Sequence, residues 1–221
     1  TGGQDEFGFK LMSGIRDYGL KLDFNQYPNI RNNVRYGLQY TYHIYTPSTV
    51  AVNSGDTDFN IDTPSKLNAH EAAVYIQDDF DVTDLFRISA GLRYSWFAQV
   101  GPYHEYITDD AGNTIGTYDY SAGSIIKQYG GFEPRLSMRY SLDKNTSVKG
   151  SVTRNLQYVH LASFSSIGLP TDTWIPSGKN VKPQEALQYS VGWFRDLKEH
   201  KYEGSVEVYY KSMANQIEYA E

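Results

Sequence analysis

Apolar and polar residues alternate along most of this chain, and the period is two. In the stretch RISAGLRYSWFAQV (87–100), Ile88, Ala90, Leu92, Tyr94 and Trp96 fall on one side of an extended strand; Ser89, Gly91, Arg93 and Ser95 fall on the other. Phe7, Phe9 and Leu11 alternate in the same way with Gly8 and Lys10. After a phase slip around residues 13–17, Tyr18, Leu20, Leu22 and Phe24 oppose Gly19, Lys21, Asp23 and Asn25. Val34 through Ile44 repeats the alternation, and EAAVYIQDDF (71–80) shows it more weakly. Four further runs follow, around Leu136–Tyr140, Val148–Val152, Leu187–Trp193 and Val206–Tyr210. No stretch carries a period of 3.6. The pattern predicts an all-β chain of about eight strands if the early slip is a bulge, or about nine if it is a turn.

The connections between these runs are sorted by length. Taking the slip as a bulge, they are 28–32, 46–69, 82–85, 101–131, 142–145, 156–183 and 197–201, so short and long alternate throughout. In an up-and-down meander, odd and even connections lie at opposite ends, which gathers every short turn at one end and every long loop at the other. Greek-key sandwiches cross between sheets and have no reason to sort their loops, whereas outer-membrane barrels pair short periplasmic turns with longer extracellular loops. Runs such as 33–44 and 86–98 exceed the ~5–6 residues usual in soluble strands and match the ~9–11 that a tilted strand needs to cross a bilayer. Tyr40, Tyr42, Tyr94, Trp96, Trp193 and Tyr210 lie on the apolar side near strand ends, where an interfacial girdle would sit. The expected fold class is therefore all-β, a segment of an antiparallel up-and-down transmembrane β-barrel. The apolar side meets lipid, and Arg93, Arg135, Arg139, Lys149 and Glu207 line a polar interior. A soluble sandwich that exposes its charged face to water shares the alternation but not the loop parity.

Composition narrows the partners. The 221 residues include 20 Tyr, no Cys and a formal net charge of −6, with no basic run. Such a surface does not suit nucleic acid as a partner, and disulfides and thiolate metal sites are excluded. No apolar run approaches the ~20 residues of a spanning helix, and no signal peptide is recognisable at Thr1-Gly2-Gly3.

Few residues suggest chemistry. DTDFNID (56–62) has acidic residues at alternate positions, but Ile61 stands where a calcium loop turns on Gly and Leu67 where its bidentate Glu belongs. It reads as a solvated acidic loop. His43, His70, His104, His160 and His200 are scattered, and none pair at ligand spacing. GPYHEYITDD (101–110) offers a His and Asp without a Ser or Cys nucleophile motif. No catalytic residue, metal site or cofactor is expected. Segment 156–183 is more informative, because Phe164, Ile167, Leu169, Trp174 and Ile175 make it too apolar for a free surface loop. It either packs against neighbouring loops or folds over the barrel mouth and meets ligand through Trp174.

Four segments resemble the barrel of TonB-dependent outer-membrane receptors, especially those of Bacteroides-type bacteria. EAAVYIQDDFDVTDLFRISAGLRYSWF (71–97) is similar to their strand–turn–strand unit with a Q-D-D core and A-G-L-R-Y. FEPRLSMRYSLDKNTSVKGSVTRNLQYVHL (132–161) resembles the P-R-L hairpin, and NVKPQEALQYSVGWF (180–194) resembles the strand that re-enters the barrel after a long loop. SGIRDYGLKLDFNQYP (13–28) is also similar. The resemblance implies that residues 1–221 are part of a single barrel domain of about 22 strands closed around a plug. It further implies a bacterial outer-membrane location and uptake of a scarce metal chelate, vitamin or glycan, powered through TonB. The implied partners are outer-membrane lipid, the rest of the barrel, the plug that carries the TonB contact, and a small-molecule or glycan ligand. A passive porin-like channel, a purely structural outer-membrane protein and a soluble carbohydrate-binding sandwich are the rival expectations.

Overall fold

The computed structural model describes residues 7–54, 57–60, 66–109, 111, 113–162, 173–197 and 201–217; for 7–12, 47–54, 57–60 and 108 it describes the backbone alone. Thirteen strands are seen among these residues, and every pairing is antiparallel. Eight form one meander: β1 (Phe7–Asn29), β2 (Asn32–Ser54), β4 (Leu67–Asp81), β5 (Phe86–Val100), β8 (Ile125–Ser141), β9 (Thr146–Gln157), β12 (Gln184–Leu197) and β13 (Tyr202–Ala214). The short β3 (Thr57–Asn60) adds to β2. Two hairpins stand apart within the long connections, β6 (Tyr103–Thr108) with β7 (Thr114–Tyr120), and β10 (Val159–Ala162) with β11 (Thr173–Pro176). Among the described residues β1 and β13 do not pair, so the sheet is open.

The phase slip is a bulge: β1 runs unbroken through it, with a register shift between Met12 and Gly14. Two expected loops were drawn too long. The segment 46–69 contains the far end of β2, because β1 continues as its partner as far as Phe7 opposite Ser54. At 23 residues each, β1 and β2 extend about 75 Å along the strand, well beyond a hydrocarbon band of ~25 Å. The segment 101–131 contains the start of β8, which pairs with β5 from Ile125 opposite Val100.

Three of the short turns are tight because a small polar side chain closes them. Asn29 Oδ1 accepts from the amides of Arg31 and Asn32 at 2.8 and 3.0 Å. Thr83 Oγ1 accepts from those of Leu85 and Phe86 at 3.3 and 3.1 Å, and Asp143 Oδ1 from that of Asn145 at 2.7 Å.

Register carries the alternation across the whole sheet. Leu38, Val74, Tyr94 and Phe132 stand in one row, and Tyr36, Ile76, Leu92 and Pro134 in the next. On the far strands Tyr189, Val191 and Trp193 oppose Tyr210, Val208 and Val206. These side chains are open to the surroundings: Val74 is 57 %, Leu92 44 % and Val208 71 % exposed. Aromatics bound the aliphatic band on both sides. Phe86 with Tyr140, Phe24 with Tyr36, and Trp193 lie toward the short turns; Tyr40, Tyr42 and Trp96 lie toward the long loops.

The opposite face is concave. The β10–β11 hairpin leaves β9 and reaches β2 and β1, four and five places away in the strand order, which is possible only across the inside of a curved sheet. Arg93, Arg135, Arg139, Lys149 and Glu207 lie on this luminal face, as the alternation predicts. Near the loop end, Tyr45, Ala69, Phe97 and Tyr158 form a small buried cluster.

Placing a cation on the outer face therefore costs far more than placing one in the lumen. For the whole protein refolded into lipid vesicles, Leu92→Lys is expected to lower unfolding stability by about 2–4 kcal/mol. The neighbouring luminal change Ser89→Lys is expected to cost clearly less. Urea titration of both variants checks this, and equal losses would contradict the assignment of faces.

Candidate ligand-facing end of the lumen

The long-loop end of the lumen is built where β9 parts from β8. Their pairing ends at Arg135 opposite Thr153, although β9 continues beside β12 to Gln157. Two side chains fill the seam. Arg154 donates from Nη1 to the carbonyl of Phe132 at 2.6 Å, and its Nε and Nη2 hold Glu185 at 2.6 and 2.9 Å. The amide of Leu156 reaches Glu133 Oε2 at 3.4 Å.

The chain then turns inward at Tyr158. Its ring stacks on Phe97, with centroids 5.1 Å apart and planes 6° from parallel, and its hydroxyl meets Ser95 Oγ at 2.8 Å. Burying two such rings stabilises the inward turn by roughly 1.5–3 kcal/mol each. In the hairpin that follows, Trp174 lies opposite Leu161 and Ile175 opposite His160. Trp174 is half-buried and packs against the Tyr45–Phe97–Tyr158 cluster. Phe164, Ile167 and Leu169, singled out with it in the sequence, lie outside the described residues.

His160 and Ser177 are both fully buried and share a hydrogen bond of 2.9 Å between Nε2 and Oγ. Burial pushes the imidazole pKa down and keeps it neutral. Its Nδ1 has no hydrogen-bond partner among the described residues. Among the described residues no carboxylate orients the ring, and both side chains are fully buried, so the Ser–His pair is described as a packing contact. His104 meets Asp119 across the β6–β7 hairpin. His43 lies between Asp17, 2.8 Å from Nδ1, and Glu71, 3.5 Å from Nε2. Because the two acids flank opposite edges of the ring, they do not converge on one point. Among the described residues no group of three acidic or imidazole side chains is placed to hold a metal ion. Of the calcium-like run 56–62, only the backbone of Thr57–Asn60 is described, as β3.

The segment after β11 is clamped from three sides. Tyr129 donates its hydroxyl to the Gly178 carbonyl at 2.8 Å. Gly178 lies so close to Gln99 that a Cβ there would stand 2.5 Å from Oε1. Lys179 reaches across to Glu105 of β6 at 2.7 Å and lies over the Tyr120 ring, 5.1 Å from its centroid. The Lys179 ammonium holds the Glu105 carboxyl below the usual carboxylate range, and Glu105 in turn raises Lys179. The β6–β7 hairpin, so tethered, presents Tyr106 and Tyr118 largely exposed.

Sequence reading singled out Trp174 and named His160 only among scattered histidines; it missed Tyr158 and the pairs Glu105–Lys179 and Arg154–Glu185. The only hint of the first was the loss of alternation after Gln157. Nothing in the spacing, 74 residues for Glu105 and Lys179, announces the pairs. Together these parts make a lumen closed over in places by an aromatic-lined hairpin, with polar groups around it.

The sequence profile of the family described as TonB dependent receptor-like, beta-barrel, matches residues 1–221. No curated protein matches the chain by sequence. Among solved structures the chain is similar to the FrpB iron transporter from Neisseria meningitidis, at 13 % identity and a TM-score of 0.58, covering 90 % of this chain and 28 % of that one. It is also similar to the ferric yersiniabactin uptake receptor FyuA from Yersinia pestis, at 15 % identity and a TM-score of 0.57, covering 92 % and 29 %. The ferric-catecholate import receptor Fiu from E. coli K12 gives 15 % identity and a TM-score of 0.54, covering 92 % and 32 %. The chain thus spans about three-tenths of the length of these structures.

The Lys179–Glu105 tie has a defined pH sense. Because the folded Glu105 pKa is depressed, the tie is fully present above the ordinary Glu value of ~4.3 and is lost as pH falls through the lower folded value. Protection factors of β6–β7 amides, taken relative to the intrinsic exchange rate at each pH, are expected to fall on acidification below that range. In Lys179→Met, protection is expected to be already low at neutral pH and to change less on acidification.

Proposed function

Since the chain belongs to the TonB-dependent receptor-like β-barrel family, we propose that it forms part of the barrel of an outer-membrane receptor that takes up a scarce nutrient by TonB-powered transport. The family match along all 221 residues carries this reading. The two-faced meander supports it: an apolar face bounded by aromatics suits lipid, and the polar concave face suits a lumen that holds a plug and passes solute. On this reading the plug and the remaining strands are contributed by other parts of the same receptor, and TonB acts through the plug.

The ligand is a small molecule or glycan, with metal chelates, vitamins and oligosaccharides as the classes to test. Trp174 is the residue proposed to meet it. The ring sits on an inward hairpin at the long-loop end, half-buried on the aromatic cluster with its remaining surface available for stacking. The chemistry is binding and passage, with no covalent step.

Two measurements test the proposal in cells producing the full-length receptor. Growth on the limiting nutrient is expected to require both the receptor and TonB; growth that persists without TonB would point to a passive channel. Trp174→Ala is expected to weaken ligand binding by roughly tenfold or more with barrel unfolding unchanged, and Trp174→Phe to retain most of the affinity. Unchanged ligand affinity in Trp174→Ala would remove this residue from the site.

A further inference from the structure

The sheet is not continuous to its upper end. β8 stays paired with β5 as far as Ile125 opposite Val100, but its pairing with β9 stops at Arg135 opposite Thr153. Thr153 stands seven residues along β9 from Thr146. At a rise of ~3.3 Å per residue and a tilt of 35–45°, that is about 17 Å above the short turns, inside an apolar band of ~25 Å. The upper seam therefore parts within the leaflet nearer the long loops, where an open sheet edge would strand its amides and carbonyls in hydrocarbon.

This edge carries few groups to strand. Phe132 and, two residues on, Pro134 turn their backbone toward β9. The Phe132 carbonyl is capped by Arg154 Nη1 at 2.6 Å, and Pro134 has no amide hydrogen to satisfy. From the β9 side the Leu156 amide reaches Glu133 Oε2 at 3.4 Å, and Asn155 Oδ1 accepts from Arg135 Nη2 at 3.1 Å. Side chains thus replace the ladder, and they hold the two strands overlapped. A Cβ on Gly131, which shares the luminal parity of Glu133, would stand 2.5 Å from Leu156 Cδ1. Leu156 also packs against the Tyr45–Phe97–Tyr158 cluster.

Arg154 shares the outward parity of Val152 and Leu187, and Glu185 that of Leu187. An ion pair placed at this depth is expensive, and such groups mark functional places in membrane proteins. Beside it on the outer face lies a recess of about 420 Å³. Ile76, Leu92, Pro134, Leu136, Val152 and Leu187 form its apolar wall. Arg135 and Arg154 border it on the seam side, and Asp78, held by Asn32 Nδ2 at 2.6 Å, on the turn side. At that depth the surrounding molecules are acyl chains, so hydrocarbon is what fills the recess.

We propose that the upper β8–β9 seam is a lateral portal, with the acyl chain of an outer-leaflet lipid in the recess and the Arg154–Glu185 pair as its latch. When the pair parts, the chain passes between the strands toward Tyr158 on the luminal side. The inference rests on the outer-membrane reading above and adds to it a path for lipid through the wall.

Photolabelling of the full-length receptor tests it, in phosphatidylcholine vesicles doped with a phosphatidylcholine that carries a mid-chain diazirine. Residues 1–221 hold no cysteine, so Gly131→Cys with Leu156→Cys locks the seam on oxidation. Ser137→Cys with Ser151→Cys, directly opposite each other in the paired ladder, is the control. Lipid adducts are expected on Glu133 and Tyr158 as well as on the outward Leu92 and Val152. Oxidation of the 131–156 pair should abolish the adducts on Glu133 and Tyr158, and reductant should restore them; the 137–151 pair should leave them unchanged. Glu185→Gln, which releases Arg154, should raise them about tenfold. Adducts confined to outward residues in every variant, or luminal adducts that the lock does not change, overturn the proposal. So does a lock that acts equally on a water-soluble diazirine, which makes the seam a water path. TonB-dependent uptake measured for the same variants separates the two readings. Uptake with outward adducts alone removes the portal, and lockable luminal adducts without TonB-dependent uptake remove the transport reading alone.

Discussion

A backbone amide inside hydrocarbon has no water to bond, and leaving one unsatisfied costs several kcal/mol. That constraint shapes everything else in this chain. It favours long antiparallel ladders in which each strand satisfies its neighbours, and a ladder turns successive side chains to opposite faces. Once one face must meet lipid, the other becomes a lumen. The row Tyr36, Ile76, Leu92 and Pro134 and the row Arg87, Arg139 and Lys149 are the two consequences of that single demand.

The luminal face handles its charge unevenly. Arg35 holds Asp79 at 2.7 Å, Arg87 holds Asp81, and Arg93 approaches Glu133 at 3.5 Å. Each pair joins neighbouring strands or a strand to its turn. The first two, exposed or half-exposed, contribute little to stability singly, whereas Glu133 of the third is buried. Their effect is to leave the field of the lumen patterned rather than uniform, with Arg139 and Lys149 making no ion pair among the described residues near the short turns. At the other end the loops return inward, and aromatic stacking of Tyr158 on Phe97 replaces the ladder as the fixing contact.

The inward turn of the chain begins at the seam between β8 and β9. Above Thr153 the two strands no longer pair, and Arg154 substitutes side-chain donors for the lost ladder by capping the Phe132 carbonyl. Parting there frees the chain to swing into the lumen at Tyr158, which carries Trp174 to the aromatic cluster. The position of the candidate ligand residue thus follows from where the sheet stops being continuous.

Alternation and loop parity were legible before any coordinates because both are local. A period of two needs only neighbouring residues, and a turn needs only a closing side chain such as Asn29, Thr83 or Asp143. The family likewise lay in short motifs, among them the A-G-L-R-Y of 90–94. Tertiary structure decided the rest. The overlong expectation for 46–69 failed because the β2 extension is held by β1, a partner remote in sequence whose register no local pattern reveals. Arg139 and Lys149 were readable as luminal, but their standing side by side depends on the register of β8 on β9. The inward path of Tyr158 and the Glu105–Lys179 tie depend on contacts across the barrel interior, where pairing is set by curvature rather than by spacing along the chain.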